Sequence, residues 1–204
     1  MGLYSQYIFP RICDWTLGQP HVAKHRRELL ASAQGDVLEI GFGTGLNLPH
    51  YPAAVRKITT VEPNPAMNQR ARQRIRECGI PIEQRVSSGE DMPLGSDRFD
   101  CVISTFTLCS VRDVGRVMSK VLRVLKPGGS FLFLEHGLSA EPGVRKWQHR
   151  LNRLQMWLGQ GCRLDRNMKA LVGTIPFTSL DVNEFYLEQT PRTHGYLFRG
   201  IARK

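Results

Sequence analysis

The chain has 204 residues, 41% hydrophobic and 23% charged, which suits one sizeable domain with a buried core and excludes an intrinsically disordered chain. Its longest unbroken apolar run, residues 131–134, is four residues long, too short for a membrane-spanning helix. The net charge of +10 leans towards residues 136–204, which carry +6, a balance open to nucleic acid, anionic lipid, an acidic small molecule or a plain soluble surface.

No secretory segment is expected at the N-terminus, and Met1-Gly2 fails the myristoylation pattern at Gln6. The first 35 residues read as helical from about Val22, with Leu29 and Leu30 packing inward. Residues 37–40 form a short apolar strand that ends in a glycine cluster, and residues 57–61 form a second. Asn64 before Pro65 is helix-start chemistry, an Asn cap followed by a residue whose missing N–H costs nothing there. That helix runs to about Cys78 and stops at Gly79.

Residues 82–86 and 99–104 supply the third and fourth strands. Val114, Val117, Met118, Val121 and Leu125 make a helical stripe, which Lys126-Pro127-Gly128-Gly129 terminates before a fifth strand at residues 130–134. Such alternation argues for a parallel sheet with helices on both faces. Val144, Trp147, Leu151, Leu154 and Leu158 then mark a helix on a basic segment: a core-facing helix, an acceptor lid or a membrane-surface contact. Residues 182–187 and 196–202 have only a turn between them and should pair antiparallel at one edge.

Five cysteines at 13, 78, 101, 109 and 162 contain no C-x-x-C, and the six histidines show no ligand spacing. Neither a disulfide framework nor a metal site is expected, and a reducing cytoplasm fits.

Most informative is Glu39-Ile40-Gly41-Phe42-Gly43-Thr44-Gly45. A dinucleotide fingerprint reads G-x-G-x-x-G, whereas here the glycines stand at 41, 43 and 45 and position 46 is Leu. The tight turn still lets a ligand touch backbone, while the acidic Glu39 disfavours phosphate and favours a cation. Glu62 follows Gly41 by 21 residues at the end of the second strand, where a carboxylate binds ribose hydroxyls. A ribose with a positive neighbour and no phosphate describes S-adenosylmethionine. The other reading is a flavodoxin-like fold with incidental glycines.

Gly41 to Asn47, Tyr51-Pro52, Pro63-Asn64-Pro65, Gly89-Glu90-Asp91-Met92, Leu108-Cys109-Ser110-Val111, Arg123 to Gly129 and Glu135-His136 together resemble a class I S-adenosylmethionine-dependent methyltransferase core. The likeness is closer to the methyltransferase-like proteins that methylate small alkyl thiols. Gly161-Cys162-Arg163-Leu164-Asp165-Arg166 is similar to that family's Gly-Cys-x-Leu-x-Arg stretch. The resemblance implies an α/β, Rossmann-like fold with a mostly parallel seven-stranded sheet, an antiparallel edge strand and helices on both faces. It also implies a helical segment at 1–35 capping the cofactor site and a methyltransferase domain at 36–204, with 138–175 as a basic lid or acceptor-side insertion.

By the same resemblance Gly41, Gly43 and Gly45 line the methionine and ribose of the donor, Glu39 holds its amino end, and Glu62 beside Pro63 binds the ribose. Glu90, Asp91 and Met92 frame the adenine; because Ser88 stands where many class I enzymes have Asp, Glu90 or Asp91 makes that contact. Eukaryotic thiol-methylating relatives begin with a hydrophobic anchor, which this N-terminus does not show.

Methyl transfer from a sulfonium needs alignment and exclusion of water, and a thiol acceptor must also ionise, near pH ~8.5 when free. His136, after the fifth strand, is the candidate base; the plainer reading is a histidine hydrogen-bonded at a strand end. Cys109 reads as packing, Arg163 and Arg166 as surface charge or an attraction for an acidic acceptor, and the arginines at 70, 72, 74 and 76 as a soluble helix face. The function expected is methyl transfer to a small molecule, a thiol or similar soft nucleophile, with S-adenosylhomocysteine as product. No nucleic-acid partner is expected, and peripheral membrane contact stays open. The alternatives are a lipid or quinone-precursor methyltransferase and a non-catalytic donor-binding module that docks on a polyanion.

Overall fold

Parallel neighbours need crossovers, and the alternating apolar runs and helical stripes supply them. The computed structural model describes residues 2–204. Strands β1 (Gly35–Ile40), β2 (Val55–Val61), β3 (Ile82–Arg85), β4 (Phe99–Thr105), β5 (Leu125–His136), β6 (Ser179–Tyr186) and β7 (Tyr196–Arg203) form one sheet. Its order is β3-β2-β1-β4-β5-β7-β6. The five strands from β3 to β5 run parallel, and β7 lies antiparallel between β5 and the edge strand β6.

Helices α1 (Phe9–Leu17), α2 (Pro20–Leu30), α3 (Pro65–Glu77), α4 (Val114–Val124), α5 (Pro142–Leu158) and α6 (Met168–Gly173) surround the sheet. One apolar layer joins α4 and α6 to Phe131 and Phe133; the other joins α2 and α3 to Ile58 and Leu132. Val117, Met118 and Val121 are fully covered, each stabilising the fold by about 1.5–3 kcal/mol. The Asn64 cap forms, its side chain accepting from Ala66 N at 3.0 Å with Pro65 in the first turn.

Three local expectations need correction. Helix begins well before Val22: a π-helical turn, Tyr4–Ile8, runs straight into α1. Phe9, Cys13 and Leu17, four residues apart, turn one side of α1 towards the cavity described below. Residues 126–129 do not form a separate turn but belong to β5, because the chain's end reaches them: Gly128 N donates to Lys204 O and Lys204 N to Gly129 O. Finally, the apolar stripe of α5 does not face the core. Trp147, Leu154 and Leu158 are exposed, while Gln148 and Asn152 are buried.

That inversion has a physical cause. Gln148 donates to the carbonyls of Gly137 and Thr193 and accepts from Ser139 N, and Asn152 accepts from Leu164 N and donates to Asp165. Amides satisfying loop backbone, rather than apolar burial, attach this helix. Among the described residues no helix is long and apolar enough to cross a membrane.

Candidate active site

In an open α/β sheet, ligands bind beyond the carboxyl ends of the strands where the order reverses, here between β1 and β4. A cavity of about 450 Å³ lies there, walled by the loops that follow β1, β2, β3 and β4. Gly41 sits at φ +70°, and a Cβ on it would stand 2.0 Å from Thr107 Oγ1, so only glycine lets these two loops meet. Gly43, at φ +57°, faces open space and turns its N–H onto Glu62 Oε2 at 2.9 Å. The other Glu62 oxygen accepts from Asn64 N at 2.8 Å. Burial raises the Glu62 carboxyl above its ordinary range against those two donors.

Glu39 lies on the cavity floor with its oxygens on Tyr51 OH at 2.6 Å and Asn47 Nδ2 at 2.8 Å. Burial pushes its carboxyl up to about 7, although both partners and the nearby Arg26 pull it down. Arg26 was not anticipated from the sequence. Its guanidinium lines the cavity and donates to Asn47 Oδ1 and Thr105 Oγ1, while its buried Nε has no partner. Burial lowers its pKa to about 10, so it remains a cation at neutral pH.

Ser5, Phe9, Cys13 and Leu17 of the N-terminal segment also line the cavity. Asp14 accepts from Thr44 Oγ1 at 2.6 Å, Arg74 at 3.0 Å and Arg70 at 2.9 Å, and Arg74 also donates to Thr44 O. Burial works to raise the Asp14 carboxyl, but these donors hold it below the usual carboxylate range. Arg70 and Arg74 therefore do more than solubilise a helix face. Asp14→Ala is expected to weaken donor binding by about tenfold, roughly one to two kcal/mol of charge-assisted bonding. Calorimetric titration checks it, and an unchanged affinity would show that the segment does not help close the site.

Behind the wall at Thr107, Glu135, fully buried, accepts from Ser104 Oγ (2.8 Å), Thr107 N (2.9 Å), Leu108 N (3.0 Å) and Cys109 N (3.3 Å). The stretch from Gly161 to Arg166 docks on the same loop: Gly161, at φ +97°, leaves only 3.0 Å between a Cβ and Ser110 O. Arg163 N donates to Cys109 O, and Arg166 donates to the carbonyls of Leu108 and Val111. Arg163 itself pairs with Asp165.

Among the residues singled out from sequence, Glu39, Gly41, Gly43, Glu62, Pro63 and Glu90 line the cavity. Gly45 supports the turn from behind, against Leu48 and Ala71. Glu90 Oε1 accepts from the backbone of Arg112 and Asp113, Asp91 is exposed and pairs with Arg116, and Met92 is buried in the core. His136 does not reach the cavity. It is buried one layer behind the wall, with Nε2 2.7 Å from Cys162 Sγ, and Cys162 Sγ lies 3.7 Å from Cys109 Sγ. Burial alone would lower the His136 pKa, but the field of Cys162 outweighs it and the net shift is upward. Spacing gave no reason to associate these three residues; the fold brings them together.

The methyltransferase domain family matches residues 38–133. Over 193 residues the chain is 32% identical to thiol S-methyltransferase TMT1A of Homo sapiens, covering 86% of this chain and 78% of that protein. It is 28% identical over 191 residues to phosphatidylethanolamine N-methyltransferase of Cereibacter sphaeroides, covering 92% and 89%. Its fold superposes with a TM-score of 0.71 on the crystal structure of an S-adenosylmethionine-dependent methyltransferase of Thermotoga maritima, at 18% identity and 98% coverage of both chains. The chain belongs to the class I S-adenosylmethionine-dependent methyltransferases. S-adenosylmethionine is its methyl donor, and within the class its sequence is similar to the thiol S-methyltransferases.

Proposed function

We propose that this methyltransferase acts on a small thiol and that its cavity orients the donor through two opposite charges. The carrying observation is that Arg26 and Glu39, bridged by the Asn47 amide, both line a cavity of about 450 Å³. That volume lies within the ~300–1,000 Å³ usual for small-molecule sites and suits the donor together with a small acceptor. The donor's amino-acid end carries one carboxylate and one ammonium, which match Arg26 and Glu39. Glu62 takes the ribose, with Pro63 beside it; Gly41 and Gly43 present bare backbone to the thioether side, and the turn at Ser88 to Glu90 frames the adenine.

When bound, the donor supplies a methyl group already activated on a positively charged sulfur. The chain's part is alignment and dryness: the segment from Ser5 to Leu17 covers the turn, and Phe106 and Thr107 wall the acceptor side. His136 has no direct path to an acceptor, so it takes no proton-transfer step in this reading. Five free cysteines suit a reducing compartment such as the cytoplasm.

Donor affinity should depend on the ionisation of Glu39. A carboxylate is needed opposite the ammonium, so affinity is expected to fall about tenfold from pH 8 to pH 6, as the group at about 7 takes up its proton. Glu39→Gln should bind more weakly at pH 8 and lose that dependence; equal slopes in the two proteins would remove Glu39 from donor binding. For stability the sign is opposite. The folded carboxyl is raised from 4.5, so its contribution is greatest at low pH and is lost as pH climbs from about 4.5 to 7.

A second reading is a lipid acceptor met at a membrane surface. It draws on the likeness to a phosphatidylethanolamine N-methyltransferase and on an exposed apolar face. Ile8, Ile12 and Trp15 near the N-terminus and Trp147, Leu154 and Trp157 on α5 are all exposed. Tyr4 OH, donating to Leu158 O, joins the two groups, and Arg145, Lys146, Arg150 and Arg153 flank them. Transfer of a labelled methyl group to alkyl thiols, phenols, amines and phosphatidylethanolamine vesicles separates the readings. A labelled thioether is the expected product. Inert thiols with labelled lipid would replace the thiol assignment, and no transfer to any acceptor would favour a donor-binding module.

A further inference from the structure

Outside the cavity, the described residues hold one group of metal-ligating side chains that methyl transfer does not use: Cys109 from the loop after β4, His136 at the end of β5 and Cys162 from the loop after α5. One ligand atom from each lies within 4.8 Å of the others, and all three residues are buried. Two thiols and an imidazole are the N/S donor set that zinc selects, and three protein ligands leave one position open. Two thiolates about 2.3 Å from one tetrahedral ion stand about 3.8 Å apart. The Sγ atoms of Cys109 and Cys162 are 3.7 Å apart, close to that spacing and far beyond the ~2.05 Å of a disulfide.

The scaffold holding these ligands is rigid. Cys109 N is bonded to the Glu135 carboxylate, and Cys109 O accepts from Arg163 N, so both cysteine loops are fastened to each other at the backbone. His136 is anchored by the strand pairing of β5 with β7 at Leu197, and its Nδ1 is buried without a partner. Seating an ion requires the ring to withdraw from its 2.7 Å contact with Cys162 to the roughly 3.5 Å edge between an N and an S ligand of one tetrahedral ion.

We propose that Cys109, His136 and Cys162 form a three-ligand site for a soft divalent ion of the zinc type. Ser110, Gly159 and Gln160, neighbours of the ligands in sequence, line the cavity, so the ion would tie together two loops at its acceptor end. The site stands whether the acceptor is a thiol or a lipid.

The test uses the full chain, treated with chelator under reducing conditions and titrated with Co²⁺ alone as a spectroscopic probe, then with Zn²⁺. Expected is one equivalent of Co²⁺ with thiolate-to-metal charge-transfer absorption, displaced by Zn²⁺. Cys109→Ser, Cys162→Ser and His136→Asn should each weaken binding by at least 100-fold, while Cys78→Ser leaves it unchanged. His136→Cys replaces the imidazole with a third thiolate and should retain Zn²⁺, which distinguishes ligand loss from misfolding. No charge-transfer band, a band indifferent to Cys109→Ser and Cys162→Ser, or conversion of the pair to a disulfide under the same reducing conditions would each overturn the proposal.

Discussion

Glu62→Ala is expected to weaken S-adenosylmethionine binding by about 100-fold and to lower kcat/KM at least as much. Its two oxygens hold Gly43 N and Asn64 N, so one buried carboxylate sets both the glycine turn and the start of the β2–α3 connection. Bonds to a charged group contribute about 1.5–3 kcal/mol each, so losing both, together with the proposed ribose contact, comes to about 3 kcal/mol or more. Glu62→Gln keeps one acceptor oxygen and should lie between the two. Calorimetry of donor binding checks the order. An alanine variant that binds like the parent would mean that Glu62 only props the loops and that the ribose lies elsewhere.

The second large effect concerns stability. Glu135→Ala leaves the N–H groups of Thr107, Leu108 and Cys109 and the Ser104 hydroxyl without their acceptor in a buried wall. At about 1–3 kcal/mol for each buried donor left unsatisfied, a cost of about 3–5 kcal/mol follows, a large share of the ~5–15 kcal/mol that holds a domain folded. It should appear as a lower urea midpoint with an unchanged slope. Glu135→Gln should recover most of it, because its one carbonyl oxygen can serve Ser104, Thr107 and Leu108 while its NH₂ group faces only Cys109 N. A loss below about 1 kcal/mol in Glu135→Ala would show that the 107–109 turn holds without this carboxylate.

The parts legible in the sequence share one property: the signal lies within a single element. Apolar runs at β1, β2, β4 and β5, the Asn64-Pro65 start of α3 and the stripe of α4 each needed only local periodicity and capping. Glu39, Glu62, Gly41 and Gly43 reach the cavity because the carboxyl end of a strand in such a sheet, and the residues just after it, open onto the crevice. What stayed hidden depends on partners distant in sequence. Arg26 reads as one more charge in a basic helix until Asn47 and Thr105 receive its guanidinium, and Asp14 means little without Thr44, Arg70 and Arg74.

Helix α5 shows the limit of periodicity. Its stripe of Trp147, Leu154 and Leu158 is regular, but regularity says only that one side differs from the other. Gln148 and Asn152 decide which side turns inward, because the loops at Gly137 and Leu164 need amide partners more than the core needs three further apolar side chains. The cluster of Cys109, His136 and Cys162 is unreadable for a related reason: spacing betrays such a cluster when two of its members share a turn, and here each residue comes from a different element.

The orientation of the donor tests the proposed site most directly, and a crystal structure with S-adenosylhomocysteine bound measures it. The ribose hydroxyls should lie within hydrogen-bond distance of Glu62 and the amino-acid carboxylate against Arg26, with the thioether sulfur facing the wall at Phe106 and Thr107. A carboxylate away from Arg26, or a ribose that leaves Glu62 untouched, would contradict it.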